Sequence, residues 1–152
     1  IMTEKAVSTF IYVTYIRTTP AKLWMALTDV EFMKRYWFDT YCESEWKRGA
    51  SWRMVQPGGQ VSDVGEILEA EPEKRLVIKW RNEFRPELKV EGESLCTMDI
   101  EPIQGAVKLT VTHTINREKS KFIEAVSGGW PRILSNLKSL IESGEIVLAT
   151  KP

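Results

Sequence analysis

Between residues 41 and 116 the chain repeatedly falls into a period of two, and no other feature narrows the available folds as much. Segments 41–46, 50–56, 61–70, 75–81, 93–101 and 106–116 are rich in β-branched and aromatic residues and read as strands. Turn-forming stretches separate them. Lys47-Arg48-Gly49, Pro57-Gly58-Gly59, Glu71 to Lys74 around Pro72, and Pro102 to Gly105 each suit a hairpin. The connection over 82–92, around Pro86 and Gly92, is longer than the roughly 2–5 residues of an ordinary hairpin loop.

Successive side chains of a strand point to opposite faces. One face then takes Trp52 and Met54; Leu76, Ile78 and Trp80; Cys96, Met98 and Ile100; and Val107, Leu109, Val111, His113 and Ile115. The other takes Arg53, Lys79, Arg81, Thr97, Asp99, Lys108, Thr110 and Thr112. Such a division is that of an antiparallel sheet wetted on one side.

Helical patterns flank this block. After the strand-like TFIYVTYIR at 9–17, Thr18 and Thr19 offer a cap, Pro20 suits a first helical position, and Leu23, Trp24 and Leu27 form a stripe ending near Asp29. A second short helix is expected over 30–36, running into Trp37 and Phe38. Near the C-terminus a short piece at 118–126 precedes a longer helix at 130–143, in which Trp130, Ile133, Leu134, Leu137, Leu140 and Ile141 recur at steps of three and four. Pro131 falls in the first turn of that helix, where its missing N–H costs nothing, Gly128 and Gly129 redirect the chain, and Gly144 ends the helix. The order predicts an α+β domain: a curved antiparallel sheet of about six or seven strands wrapped around a long C-terminal helix, with two short helices after the first strand. One domain covers 8–144, with 1–7 and 145–152 as flexible tails.

The totals agree with one domain: 152 residues bury roughly 70% of the surface that the unfolded chain exposes. No apolar run approaches the roughly 20 residues of a membrane-spanning helix, so membrane insertion is not expected. IMTEKAVS is too short and too polar for a secretion signal, and the expected location is the cytoplasm. The 21 Lys and Arg balance 21 Asp and Glu without clustering, which argues against nucleic acid as a partner. Cys42 and Cys96 form no C-x-x-C pattern and are expected to be reduced, and a single histidine excludes a multi-histidine metal site. Neither a metal nor a cofactor is expected.

Four segments taken in order carry a resemblance: TTPAKLWMALTD at 18–29, WKRGASWRM at 46–54, GEILEAEPEKRLVIKW at 65–80 and GGWPRILSNLKSLIESG at 128–144. Together, over about 8–144, the chain resembles the START-like helix-grip superfamily, also called SRPBCC. Within it the chain is similar to the branch of the C-terminal domain of the heat-shock-protein-90 ATPase activator. The resemblance implies a pocket between sheet and long helix, and with it binding of a small apolar or amphipathic molecule without a cofactor. Some superfamily members are polyketide cyclases or dehydratases, which implies as an alternative an enzyme using His113 as acid or base. The activator implies a third reading, a chaperone-linked interaction module. It pairs this kind of domain with a separate N-terminal domain, whereas residues 1–152 carry the pattern of one, so stimulation of a chaperone ATPase is not carried over.

The candidate ligand-binding residues are Trp37, Phe38, Trp52, Met54, Trp80, Met98, His113, Trp130 and Leu134. Each also suits an ordinary core, as aromatic stripes at helix and strand spacing usually do. If a ligand binds, an enclosed apolar cavity on the order of 300 Å3 or more is expected, with Trp80 and Trp130 exposed to it. His113 is the one candidate for acid–base work, its ordinary pKa lying near 6.5, and a neutral core histidine satisfied by its neighbours is the competing reading. No G-x-S-x-G sequence supplies a hydrolase nucleophile. Glu43 with Glu45, Glu69 with Glu71, and Glu91 with Glu93 read as solvated rim charges, and QPGGQ at 56–60 as a hairpin turn. WRNEFRPE at 80–87 reads as a plain surface loop, as a gate to the pocket or as a contact for a partner. An interaction module, including a homodimer, would need an exposed apolar patch larger than that of an ordinary monomer surface, or a sizeable self-contact.

Overall fold

The computed structural model describes residues 7–150. Seven strands form one antiparallel sheet in the order β1-β7-β6-β5-β4-β3-β2. They are β1 Ser8–Ile16, β2 Tyr41–Ser44, β3 Ser51–Val55, β4 Val61–Glu71, β5 Arg75–Asn82, β6 Ser94–Ile103 and β7 Ala106–Ile115. β2 to β7 are a meander, and β1 closes the far edge by pairing with β7, Phe10 opposite His113 and Tyr12 opposite Val111. Gln104 and Gly105, both at positive φ, make the tight turn between β6 and β7, so Pro102 lies in the strand and not in the turn expected of it.

The two short helices stand as expected, α1 at Pro20–Thr28 and α2 at Val30–Tyr36. Thr19 caps the first by accepting from Lys22 N–H, and Asp29 caps the second by accepting from Phe32 N–H. The long connection carries one turn of helix, α3 at Pro86–Lys89, which the sequence pattern did not predict.

The C-terminal helix differs from expectation. In place of two pieces there is one helix, α4, over Lys121–Ser143, with Pro131 in its interior. Gly and Pro each cost a helix interior, about 1 and about 3 kcal/mol against Ala. Packing outweighs this, because Phe122, Ile123, Trp130, Leu134, Leu137 and Leu140 all lie on one buried face. Gly144 ends the helix in the left-handed conformation.

The concave face of the sheet holds the core that α4 covers, and every position assigned inward by alternation on β3, β5, β6 and β7 is buried. At Gly65, opposite Trp52, a Cβ would lie 1.7 Å from the carbonyl oxygen of Lys79, so the strands can approach there only with glycine. Past α4 the chain is tied down instead of trailing free. Buried Asn136 accepts from the N–H groups of Val147 and Leu148 and donates to the Leu148 carbonyl. Residues 1–6 and 151–152, expected as tail, lie outside the described residues. Among those described, no helix is long and apolar enough to cross a membrane.

Candidate functional site

Sheet and α4 diverge at one end, and a cleft of about 760 Å3 opens there. Its walls come from the end of α2, from β3 to β5, from the loop around α3, and from the N-terminal half of α4. The cleft is open to solvent and partly polar, not enclosed and apolar as expected. At its rim Phe38 and Asp39 both have left-handed backbone, φ 52 and 61, a strained conformation for a phenylalanine.

Five of the expected ligand-binding residues line this cleft: Trp37, Phe38, Met54, Trp80 and Trp130. The Trp130 ring meets Trp37 at 5.5 Å and Trp80 at 5.9 Å between centroids, giving a rigid aromatic wall. Trp52, Met98 and Leu134 lie deeper, around an internal void of only about 10 Å3. There the buried indole N–H of Trp52 has no protein partner. Phe84, Arg85 and Leu88 of the long connection line the cleft, so WRNEFRPE contributes to its wall.

His113 does not reach the cleft. It is fully buried, and both ring nitrogens are taken: Trp130 Nε1–H donates to Nδ1 at 3.2 Å, and Nε2 pairs with Ser94 Oγ at 2.9 Å. An indole N–H can only donate, so Nδ1 carries no proton and Nε2–H donates to Ser94. The Ser94 hydroxyl in turn donates to the Trp80 carbonyl. Burial lowers the His113 pKa to about 3, which keeps the ring neutral.

The polar group that does face the cleft is one the strand pattern carried without being recognised. Asp63 on β4 is 5% exposed, lines the cleft, and sits opposite Met54 on the inward face. Its Oδ2 accepts from Trp80 Nε1–H at 2.7 Å and Asn82 Nδ2–H at 3.2 Å, and its Oδ1 accepts from Ser62 Oγ–H at 2.6 Å. Gln56 extends the network by donating to Ser62 Oγ and accepting from Thr40 Oγ1–H. Burial raises the Asp63 pKa, the three donors oppose the rise, and the nearby Glu83 charge adds to it. The signal lay in VSDVGEI: alternation puts Asp63 in register with Gly65 and Ile67, an acid in an inward-facing set.

The paired glutamates face separate partners. Glu43 pairs with Arg53, Glu45 with Lys47, Glu69 with Arg75, Glu71 with Lys74 and Glu93 with Lys79. Glu91 instead caps α4, accepting from Ser120 Oγ–H and from the N–H groups of Lys121 and Phe122.

Comparison with known proteins agrees with this architecture. Protein MLL2253 from Mesorhizobium loti superposes with a TM-score of 0.76 at 21% identity, over 91% of this chain and 100% of that one. The Aha1 dimer from Colwellia psychrerythraea gives 0.73 at 17% identity, over 90% and 98%. PFC0360w, an HSP90 activator from Plasmodium falciparum, gives 0.70 at 22%, over 88% and 95%. No relative among curated protein sequences matches the chain. The family model described as Activator of Hsp90 ATPase homolog 1-like protein matches residues 17–142, most of the domain, and the chain belongs to that family, a branch of the SRPBCC helix-grip superfamily.

Proposed function

We propose that the protein binds a small amphipathic molecule in the cleft between the sheet and α4. The observation that supports it is the cleft itself. Its volume, about 760 Å3, is within the usual range of small-molecule sites, and its wall sets indole and phenyl rings beside a few convergent polar groups. Trp37, Trp80 and Trp130 would hold the apolar body, and the Thr40-Gln56-Ser62-Asp63 network would fix its polar end.

Acid–base chemistry by His113 finds no support in this arrangement, because the ring is sealed from the cleft and held neutral. Contact with a chaperone draws on the family, whose description refers to activation of the Hsp90 ATPase, and on solved relatives at 17% and 22% identity that carry the fold alone; no feature of the cleft singles it out.

Native mass spectrometry of freshly purified protein tests the proposal. A co-purified compound is expected, and its loss is expected in a Gly129→Trp variant, whose side chain would enter the cleft from α4. A wild-type protein that carries no compound and takes up none from a library of amphipathic molecules would overturn it.

A further inference from the structure

Asp63 presents an imbalance of charge. Trp80 and Asn82 can only donate through the atoms that reach its Oδ2, and Ser62 donates to Oδ1, an arrangement suited to the ionised carboxylate. Burying a charge is costly unless an opposite charge accompanies it. Among the described residues no Lys or Arg pairs with Asp63, and the charged neighbour that bears on it, Glu83, is itself an acid. The nearer cations are engaged elsewhere: Arg81 and Lys89 pair with Glu83, and Arg85 with Glu87 at 2.7 Å. Arg132, the remaining cation of the cleft wall, is exposed at the rim.

The same wall is aromatic. Trp80 bonds Asp63 directly, packs edge-on against Trp130 at 5.9 Å, and meets Phe122 at 6.3 Å. Trp80 and Trp130 are themselves 3% and 2% exposed, so they back the carboxylate with a dry wall, and the attraction of Asp63 for a cation is stronger beside such a wall than in open water. Oδ1 accepts a single hydrogen bond and has capacity for another donor.

We propose that the cleft recognises a protonated amine carried on an apolar body, with Asp63 as its counter-charge and the buried tryptophans behind it as a water-excluding wall. The inference rests on the cleft being a ligand site. It adds the chemical class of the ligand: an amine in place of a fatty acid, an alcohol or a neutral ring.

Calorimetric titration at pH 7 with naphthylethylamine, naphthylethanol and naphthylacetate tests it, since these probes share a body and differ in charge. The amine is expected to bind about tenfold or more tightly than the alcohol, the scale of one close charge pair, and the acetate more weakly still. In Asp63→Asn the preference for the amine should vanish while the alcohol keeps its affinity within about threefold. Equal binding of amine and alcohol by the wild type would overturn the inference and leave the cleft reading standing. A preference that survives in Asp63→Asn would overturn it as well. Binding of none of the three would sink the inference, and the co-purification experiment would then decide the cleft reading separately. If Asp63→Asn does not fold, the wild-type series alone decides.

Discussion

The indole N–H of Trp130 on α4 donates to Nδ1 of His113 on β7, a 3.2 Å bond that joins helix to sheet in the middle of the core. It fixes the tautomer of the ring, and Ser94 completes the partnership on the other side. His113 is thus a structural cross-link.

Replacing it should cost stability. His113→Gln is expected to destabilise the fold by about 2–4 kcal/mol, because the Trp130 N–H and the Ser94 hydroxyl lose well-placed partners in a dry core. The pH dependence carries a sign that can be checked. Protonation at about pH 6.5 in the unfolded chain and about 3 in the folded one means that the unfolded state binds more protons between those values. This contribution is fully present above pH 6.5 and is lost on acidification, by about 1.4 kcal/mol per pH unit. Urea titrations of wild type and His113→Gln at pH 7, 6 and 5 should show the wild type losing its advantage, by about half that slope between pH 7 and 6 and close to the full slope between pH 6 and 5.

Glu91 straps the connection after α3 onto the start of α4, accepting from Ser120 Oγ at 2.5 Å and from Lys121 N at 2.9 Å. Its partial burial opposes the charge, but these hydrogen bonds outweigh that and hold its carboxyl below the usual range. Glu91→Ala is expected to cost about 1–2 kcal/mol and to increase amide exchange in the first turn of α4. A depressed carboxylate stabilises above its unfolded pKa and loses that contribution as pH falls. The gap between Glu91→Ala and wild type should therefore narrow below about pH 4.

Two glycines should respond in opposite directions. Gly65→Ala places a Cβ against the Lys79 backbone and should lower stability by about 3 kcal/mol or more, since neither strand can move without breaking the ladder. Gly128→Ala meets nothing within 4 Å on an exposed face of α4 and should raise it by about 0.5–1 kcal/mol. Thermal melts of the two variants measure both effects.

Cys42 and Cys96 are free and buried, and burial raises both thiols above their ordinary pKa. A thiol-reactive dye at pH 8 should label neither in the native protein and both in denaturant. Labelling of native protein at the unfolded rate would mean that the β2–β3 and β5–β6 regions open far more readily than their packing implies.

Period-two patterning was enough to locate the strands and to assign the inward faces of β3, β5, β6 and β7, because one side-chain alternation serves both the ladder and the core; the pairing of β1 with β7 came only with the structure. It also placed His113 inside. It could not say that Trp130 and Ser94 would occupy both ring nitrogens, since those partners are 17 and 19 residues away along the chain. α4 shows the same division. Gly128, Gly129 and Pro131 are locally poor helix residues, and a break there was the correct inference from propensity alone. Burial of Phe122 and Ile123 together with Trp130 and Leu134 against one concave sheet made a single helix more favourable.

The candidate site divides along the same line. The sequence by itself determined that large rings would face inward, because hydrophobic period and side-chain direction are local properties. Which rings border open space was decided only when sheet and helix diverged, leaving Trp37, Trp80 and Trp130 on the cleft and Trp52, Met98 and Leu134 in the packed interior. Asp63 belongs to the second kind of fact. Its position in the strand was readable, but that no Lys or Arg among the described residues pairs with it depends on where those side chains end up, and only the tertiary structure settles that.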